Sequence, residues 1–139
     1  MMSAVAGYSG TPLAKKLGIK ADCRMFVVKA PGNYARLVAP LPAGVRTVKG
    51  IDEATDLIHI FATSRKNLAR EIKHALRSMR ADAAIWVSWP KKSSGVATDI
   101  TEDTIREIVL PMGLVDIKVC AVDDVWSGLK LVVRNERRS

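Results

Sequence analysis

The chain has 139 residues, and its 48% hydrophobic content indicates a packed domain and excludes general disorder. It carries 22 Lys+Arg against 14 Asp+Glu, a formal charge of +8, which favours encounters with polyanions such as nucleotides or nucleic acid. The two cysteines form no cluster with metal-ligand spacing, so neither a disulfide framework nor a metal site is expected. No apolar run approaches the ~20 residues of a membrane span, and a cytoplasmic location with no membrane partner is the expectation.

The first half of the chain predicts one helix, two strands and a brief connecting helix. Thr11 as N-cap and Pro12 at the first helical position indicate the start of a short helix. Residues 24–29 contain the apolar, β-prone run Met25-Phe26-Val27-Val28, which predicts a buried strand. A brief helix over residues 34–38 and a short strand over residues 45–48 follow it.

The second half alternates strands with amphipathic helices. Residues 56–62 contain the run Leu57-Ile58-His59-Ile60-Phe61, which is typical of a buried strand. Ser64 is the predicted cap of the next helix, whose apolar residues recur at helical spacing. Thr101 begins another helix, with acidic residues in its first turn. Three further strands are predicted, over residues 84–89, 115–122 and 129–133.

This order of elements predicts a three-layer, Rossmann-like α/β fold. Continuous apolar strands that alternate with helices are typical of a mainly parallel sheet, here of about six strands, covered on both faces. The last two strands are separated by a short turn and predict an antiparallel hairpin. Residues 1–10 are predicted to be a flexible segment that precedes a single domain over residues 11–139.

The strand and helix order, with its closing hairpin, resembles a shortened class I methyltransferase fold. Members of that family carry a Gly-rich turn after the first strand and an acidic residue after the second. Here the first turn, over residues 29–33, has one glycine, and Val48 is followed by Lys49 and Gly50. These departures favour a binding module over an enzyme.

Four phrases also resemble a family of small bacterial proteins known only as a domain of unknown function. The phrases are YSGTPLAKKLGIK, DLIHIFATS, WVSWPKKSSGVATDITED and VDIKVCAVDDVWSGLKLVVR. This resemblance implies a single-domain, cytoplasmic bacterial protein, and it supplies no activity, cofactor or site residue.

A basic, hydroxyl-rich loop follows the strand over residues 84–89, where a parallel sheet presents its ligands. Its ammonium and hydroxyl groups suit a phosphate or a carboxylate, although the spacing is not that of a P-loop. The alternative is a solvated polar turn. The turn at Lys29 and the strand end at Thr63 could face the same crevice. The predicted ligand-binding residues are Lys29, Gly32, Thr63, Arg65, Trp89, Lys91, Lys92 and Ser93.

The helix that follows Ser64 carries many cations and a single acid, Glu71. Such a face is either solvated or contacts the phosphates of a nucleic acid. The candidate nucleic-acid contacts are Arg70, Lys73, Arg77 and Arg80.

The sequence contains no recognisable set of catalytic residues. His59 lies in an apolar strand and is expected to be a hydrogen-bonded core residue, whereas Trp126, beside two acids, could wall a pocket. The leading interpretation is a non-catalytic binding module with an anion-binding crevice at the strand ends, whose partner is a phosphorylated small ligand. The alternatives are a transferase that uses S-adenosylmethionine or a nucleotide, and a non-specific nucleic-acid-binding protein. The cofactor, if any, and the oligomeric state stay open.

Overall fold

The computed structural model describes residues 10–134. Nine of the ten residues of the predicted flexible segment therefore lie outside the described part of the chain. Within residues 10–134 no helix is long and apolar enough to cross a membrane. The helices are α1 (Leu13–Lys16), α2 (Tyr34–Val38), α3 (Arg65–Ser78) and α4 (Glu102–Val109). The strands are β1 (Arg24–Val28), β2 (Arg46–Thr47), β3 (Leu57–Phe61), β4 (Ala84–Pro90), β5 (Leu114–Ala121) and β6 (Trp126–Val133).

The six strands form one sheet in the order β2-β1-β3-β4-β6-β5. The first four in this order are parallel, and β6 inserts antiparallel between β4 and β5. The predicted three-layer, mainly parallel sheet with a C-terminal antiparallel hairpin is confirmed. The last strand is longer than predicted, since it begins at Trp126 and pairs there with Pro90 of β4.

Hydrophobic residues fill a core on each face of the sheet. On one face, α3 and α4 pack over the strands, and buried residues such as Ile60 and Ile72 lie between the layers. On the other face, α1 and α2 cover a smaller core around Trp86, whose ring nitrogen donates to the Leu17 carbonyl at 2.9 Å. Trp86 and Trp89 therefore face opposite sides of β4, and Trp89 is only 7% exposed within the larger core.

Side-chain caps fix the starts of the two longer helices. The Ser64 hydroxyl accepts from the Asn67 amide, and the Thr101 hydroxyl accepts from the Thr104 amide, both at 3.1 Å, as predicted. The predicted cap at Thr11 is wrong. Pro12 has an extended backbone (ψ 142°) and is itself the N-cap of α1, so the helix begins one residue later, at Leu13.

Candidate functional site

The chain leaves β1 towards β2 on one side and later returns on the other side as β3. This reversal is a topological switch point, where open α/β sheets bind their ligands beyond the carboxyl ends of the strands. The connection from β2 to β3 contains no helix, so the α3 side of β1 is only partly covered. Phe26 and Val28, on this side, are half-buried although they pack against the larger core.

Two adjoining cavities open along α3, and we refer to them together as the switch-point cleft. One has a volume of about 490 Å³ and the other about 200 Å³, and both are lined by Lys29 and Glu71. The larger cavity is also lined by Phe26, Val27, Val28, Arg70 and His74. The smaller one is also lined by Phe61, Ala62, Thr63, Asn67 and Trp126.

Lys29 stands at the mouth of the cleft in a strained backbone conformation. Its φ is +54°, in the left-handed region that costs a residue with a Cβ about 1–2 kcal/mol. Its side chain is exposed directly after β1. Strain that persists at the edge of a cleft is a common feature of functional sites.

Aromatic rings form one wall of the smaller cavity. The ring of Trp126 meets that of Phe61 edge-on, with centroids 5.0 Å apart, and Phe61 stacks on His59 at 4.3 Å. The Asp123 carboxylate accepts from the Val125 and Trp126 amides, at 2.9 Å and 2.8 Å, and so fixes the turn that leads into β6. Trp126 therefore lines a cavity, and its part in a ligand pocket stays a prediction.

His59 is not available as a base in the cleft. It is fully buried, and its ring nitrogens lie within hydrogen-bond distance of the hydroxyls of Tyr34 and Ser88. Burial lowers the pKa of His59 from 6.5 to about 3, so the ring is neutral near pH 7. The expected hydrogen-bonded core histidine is confirmed.

Glu71 supplies the carboxylate of the cleft. The buried face of α3 consists of Leu68, Ile72 and Ala75, and this places Asn67 and Glu71 at its half-buried edge, towards β1. None of the ion pairs formed within residues 10–134 involves Glu71. It can therefore accept hydrogen bonds from a ligand.

The N-terminus of α3 is already bonded to a carboxylate of the chain itself. The Asp99 side chain accepts from the Arg65 amide at 2.8 Å, and the Thr98 hydroxyl donates to the Thr63 carbonyl at 2.7 Å. A phosphate binds well at a helix N-terminus only when the backbone amides there are free. Here an incoming anion would be repelled by the carboxylate of Asp99.

Comparison with known proteins identifies the fold. No protein-family model matches the sequence, and no curated protein is significantly similar to it, so the resemblance to a bacterial family gains no support. A solved S-adenosylmethionine-dependent methyltransferase from Aquifex aeolicus is 12% identical, with a TM-score of 0.59 over 88% of each chain. The fold is methyltransferase-like.

Two further structures of this fold hold the cofactor. A magnesium protoporphyrin IX methyltransferase from Synechocystis PCC 6803, with bound S-adenosylmethionine, is 12% identical, with a TM-score of 0.59 over 88% of this chain and 74% of that one. Fibrillarin from Aeropyrum pernix, with natively bound S-adenosylmethionine, is 14% identical, with a TM-score of 0.55 over 91% and 70%. At these identities the likeness establishes the fold alone.

The methyltransferase-like fold brings only some of the predicted ligand-binding residues together. Lys29 and Thr63 both line the cleft. Gly32 lies in the turn after β1, in open space, since a Cβ added there would meet no atom within 4 Å. Arg65 turns away to pair with Glu107 of α4 at 3.5 Å.

The predicted loop site does not line the cleft. Trp89 lies in the core, and the Lys91 amide donates to the Val125 carbonyl at 2.6 Å, which ties the loop to the β5–β6 turn. Lys92 and Ser93 are exposed in a single 3-10 turn. These residues stay a predicted anion contact separate from the cleft.

Three of the four predicted nucleic-acid contacts share a surface. Arg70, Lys73 and Arg77 line an open groove of about 390 Å³ along α3. Arg80 is separate from them, since it pairs with Asp56 and Asp82, each at 2.6 Å, and donates to the Thr55 carbonyl. Arg80 therefore anchors the end of α3 to the start of β3.

The sequence reasoning missed Asn67, Glu71 and Phe61 as cleft residues. One signal pointed to Glu71. It is the lone acid on a helix of cations, and neither residue four positions away on the helix is a cation that it could pair with. Phe61 reads as an ordinary core residue of an apolar strand. Within residues 10–134, no group of three or more His, Cys, Asp or Glu side chains is placed to hold a metal ion.

Proposed function

We propose that this protein is an S-adenosylmethionine-dependent transferase whose cofactor binds in the switch-point cleft. The observation that carries the proposal is the position of the cleft at the switch point of a methyltransferase-like sheet, with its smaller cavity at the carboxyl ends of β1 and β3. Proteins of this fold that bind S-adenosylmethionine favour this function over a non-catalytic anion-binding module. A phosphorylated ligand stays the alternative prediction.

The residues of the cleft fit the chemical groups of this cofactor. Its larger cavity, of about 490 Å³, is in the range of about 300–1,000 Å³ that small-molecule sites occupy. The Lys29 ammonium suits the carboxylate of the methionine moiety, and the Glu71 carboxylate can accept hydrogen bonds from ribose hydroxyls. The rings of Phe61 and Trp126 offer an apolar wall to adenine.

In this chain the acid proposed to bind the ribose comes from α3 and not from the end of β2. The first acids after β2, Asp52 and Glu53, lie in the turn before β3, near the amino end of that strand, whereas the smaller cavity lies at its carboxyl end. The Asp52 carboxylate is engaged in that turn, where it accepts from the Ala54 amide at 2.8 Å. Glu71, from α3, is therefore the acid that we assign to the ribose.

The chain's contribution to the reaction is binding and orientation. The cofactor, when bound, supplies a methyl group on a sulfonium centre that a nucleophile of the acceptor can attack. Lys29 would hold the carboxylate at one end of the cofactor, Glu71 would hold the ribose in its middle, and the wall formed by Phe61 and Trp126 would contact the adenine at its other end. Such positioning converts the encounter of two reactants into a step within one complex.

The test is titration calorimetry of the purified protein with S-adenosylmethionine and with its demethylated product. We expect dissociation constants of about 1–100 µM for the wild type. Glu71→Gln should weaken both by about 10- to 100-fold, because a charge-assisted hydrogen bond contributes about 1.5–3 kcal/mol.

Glu53→Gln is the matched control, since it removes the same charge from an exposed site near the amino end of β3 that does not line the cleft. It should leave both affinities unchanged. The absence of binding at millimolar cofactor, or an equal loss in both variants, would show that the cleft is not a cofactor site.

A further inference from the structure

A cluster of lysines lies on the face of the sheet opposite α3. We define the lysine groove as an open depression of about 470 Å³ between α1 and the β5 edge. It is lined by Thr11, Lys15, Lys16, Lys118, Val119, Cys120 and Ala121. Lys130 is the cross-strand partner of Lys118, and its ammonium lies 3.7 Å from the position that a Cβ on Gly18 would take.

The lysines of this cluster are close enough to repel one another. The Lys118 ammonium donates to the Lys16 carbonyl at 3.4 Å, which holds it over the end of α1. Lys130 is half-buried, and burial, followed by the charges of Lys118 and Lys20, lowers its pKa. Like charges held together in this way destabilise the fold, which is tolerated where a ligand of opposite charge binds.

Four lysines in and beside this groove form no ion pair within the described part of the chain. Lys15, Lys20, Lys118 and Lys130 take part in none of the ion pairs formed there. By contrast, Arg106 on the other face pairs with three carboxylates. These four lysines thus concentrate uncompensated positive charge in and beside a shallow channel.

We propose that the lysine groove binds the phosphate backbone of a nucleic-acid strand. Lysine ammoniums are compact, mobile charges that suit repeated phosphates rather than one planar bidentate ligand. The lining contains no aromatic side chain for base stacking, so binding is independent of sequence. A channel between a helix and a strand edge fits a narrow polyanion better than a flat bilayer.

This inference does not rest on the proposed function, because the groove shares no lining residue with the switch-point cleft. Mutation of the groove lysines should leave the affinity for S-adenosylmethionine unchanged. Either proposal can therefore fail while the other stands.

The test is fluorescence anisotropy of a labelled single-stranded RNA of about 20 nucleotides and mixed sequence, titrated at several salt concentrations. Lys15→Gln combined with Lys118→Gln should weaken binding at least tenfold at low salt. It should also reduce the slope of log K against log salt by about 1.4, because each lost phosphate contact contributes about 0.7 for a single strand.

The matched control combines Arg46→Gln with Lys49→Gln, which removes the same charge from exposed positions at the opposite edge of the sheet. A near-wild-type affinity and salt slope in this control support the groove. An equal loss in the control means that only net charge matters, and overturns the proposal.

Three other outcomes also overturn it. These are RNA binding that is lost only when Lys73→Gln and Arg77→Gln are combined on α3, RNA binding that is insensitive to salt, and binding of phosphatidylserine vesicles without binding of RNA. A thermal melt of each variant, coincident with that of the wild type, confirms that the substitutions leave these exposed positions folded.

Discussion

The hydroxyl of Tyr34 lies 2.9 Å from Nδ1 of the buried His59. Nε2 of the same ring lies 2.8 Å from the Ser88 hydroxyl, so both ring nitrogens have a partner without any charge being present. The contacts connect α2, which follows the turn at Lys29, to β3 and β4. The ring of His59 also stacks on Phe61, and the network thus supports one wall of the switch-point cleft.

The buried His59 predicts a loss of stability in mild acid. Its pKa is about 3 in the folded protein and 6.5 when exposed, so between these values the unfolded state binds a proton that the folded state rejects. The free energy of unfolding is therefore unaffected by the protonation of His59 above pH 6.5. It falls as the pH is lowered towards 3, by up to about 1.4 kcal/mol per pH unit. Urea unfolding at several pH values measures this slope.

His59→Gln should remove that part of the pH dependence, since the replacement does not titrate. The exposed His74→Gln is the control and should keep it. If wild type and His59→Gln lose stability in parallel between pH 6.5 and 4, other groups cause the acid sensitivity.

The strained backbone at Lys29 predicts that replacing this residue changes both the stability of the protein and its affinity for the cofactor. Glycine tolerates the φ of +54° at that position, whereas alanine retains the strain. Lys29→Gly should therefore be about 0.5–1 kcal/mol more stable than Lys29→Ala, because relief of strain exceeds the entropy of the added glycine. Both variants lose the ammonium and should bind S-adenosylmethionine more weakly than the wild type in calorimetry. Equal stability of the two variants would show that the conformation carries no strain.

Most of the fold could be predicted from the sequence, because its signals are local. The segments over residues 56–62 and 84–89 each contain a largely apolar run, because both faces of β3 and β4 are covered. The caps at Ser64 and Thr101 depend on contacts three residues away, which the sequence displays directly. The helix-less hairpin followed from the short turn between two apolar runs.

The cleft could not be predicted in the same way, because it depends on the order of the strands. Glu71 faces the cleft only because β1 lies beside β3 and because the side of β1 towards α3 is only partly covered. The basic loop after β4 likewise lies apart from the cleft because Thr98 and Asp99 bind it across the N-terminus of α3. These are contacts across more than 30 positions of the chain, and hydrophobic periodicity carries no record of them.

Gly128 predicts a strict requirement for a small residue in β6. A Cβ at this position would approach the Trp86 ring and the Val122 side chain, each at 3.3 Å, and the Cys120 sulfur at 3.4 Å. Because Trp86 is fully buried, it cannot move aside, and Gly128→Ala should destabilise the protein by about 1–3 kcal/mol. Gly32→Ala is the control, since the space there is open, and should change stability little. Chemical denaturation of the two variants decides, and similar midpoints would contradict the tight packing.

We expect the carboxylate of Asp99 to keep phosphate from binding at the N-terminus of α3. Its carboxylate accepts from the Arg65 amide at 2.8 Å and supplies the negative charge that this helix end favours. Asp99→Ala should cost about 1 kcal/mol of stability and leave that amide free. Inorganic phosphate should then raise the melting temperature of Asp99→Ala more than that of the wild type, because binding to the folded state alone stabilises it.

Asp99→Asn, which keeps an acceptor but loses the charge, should respond to an intermediate degree. The same phosphate response in all three proteins would mean that phosphate binds elsewhere, and the exposed Lys92 and Ser93 would then be the next positions to mutate.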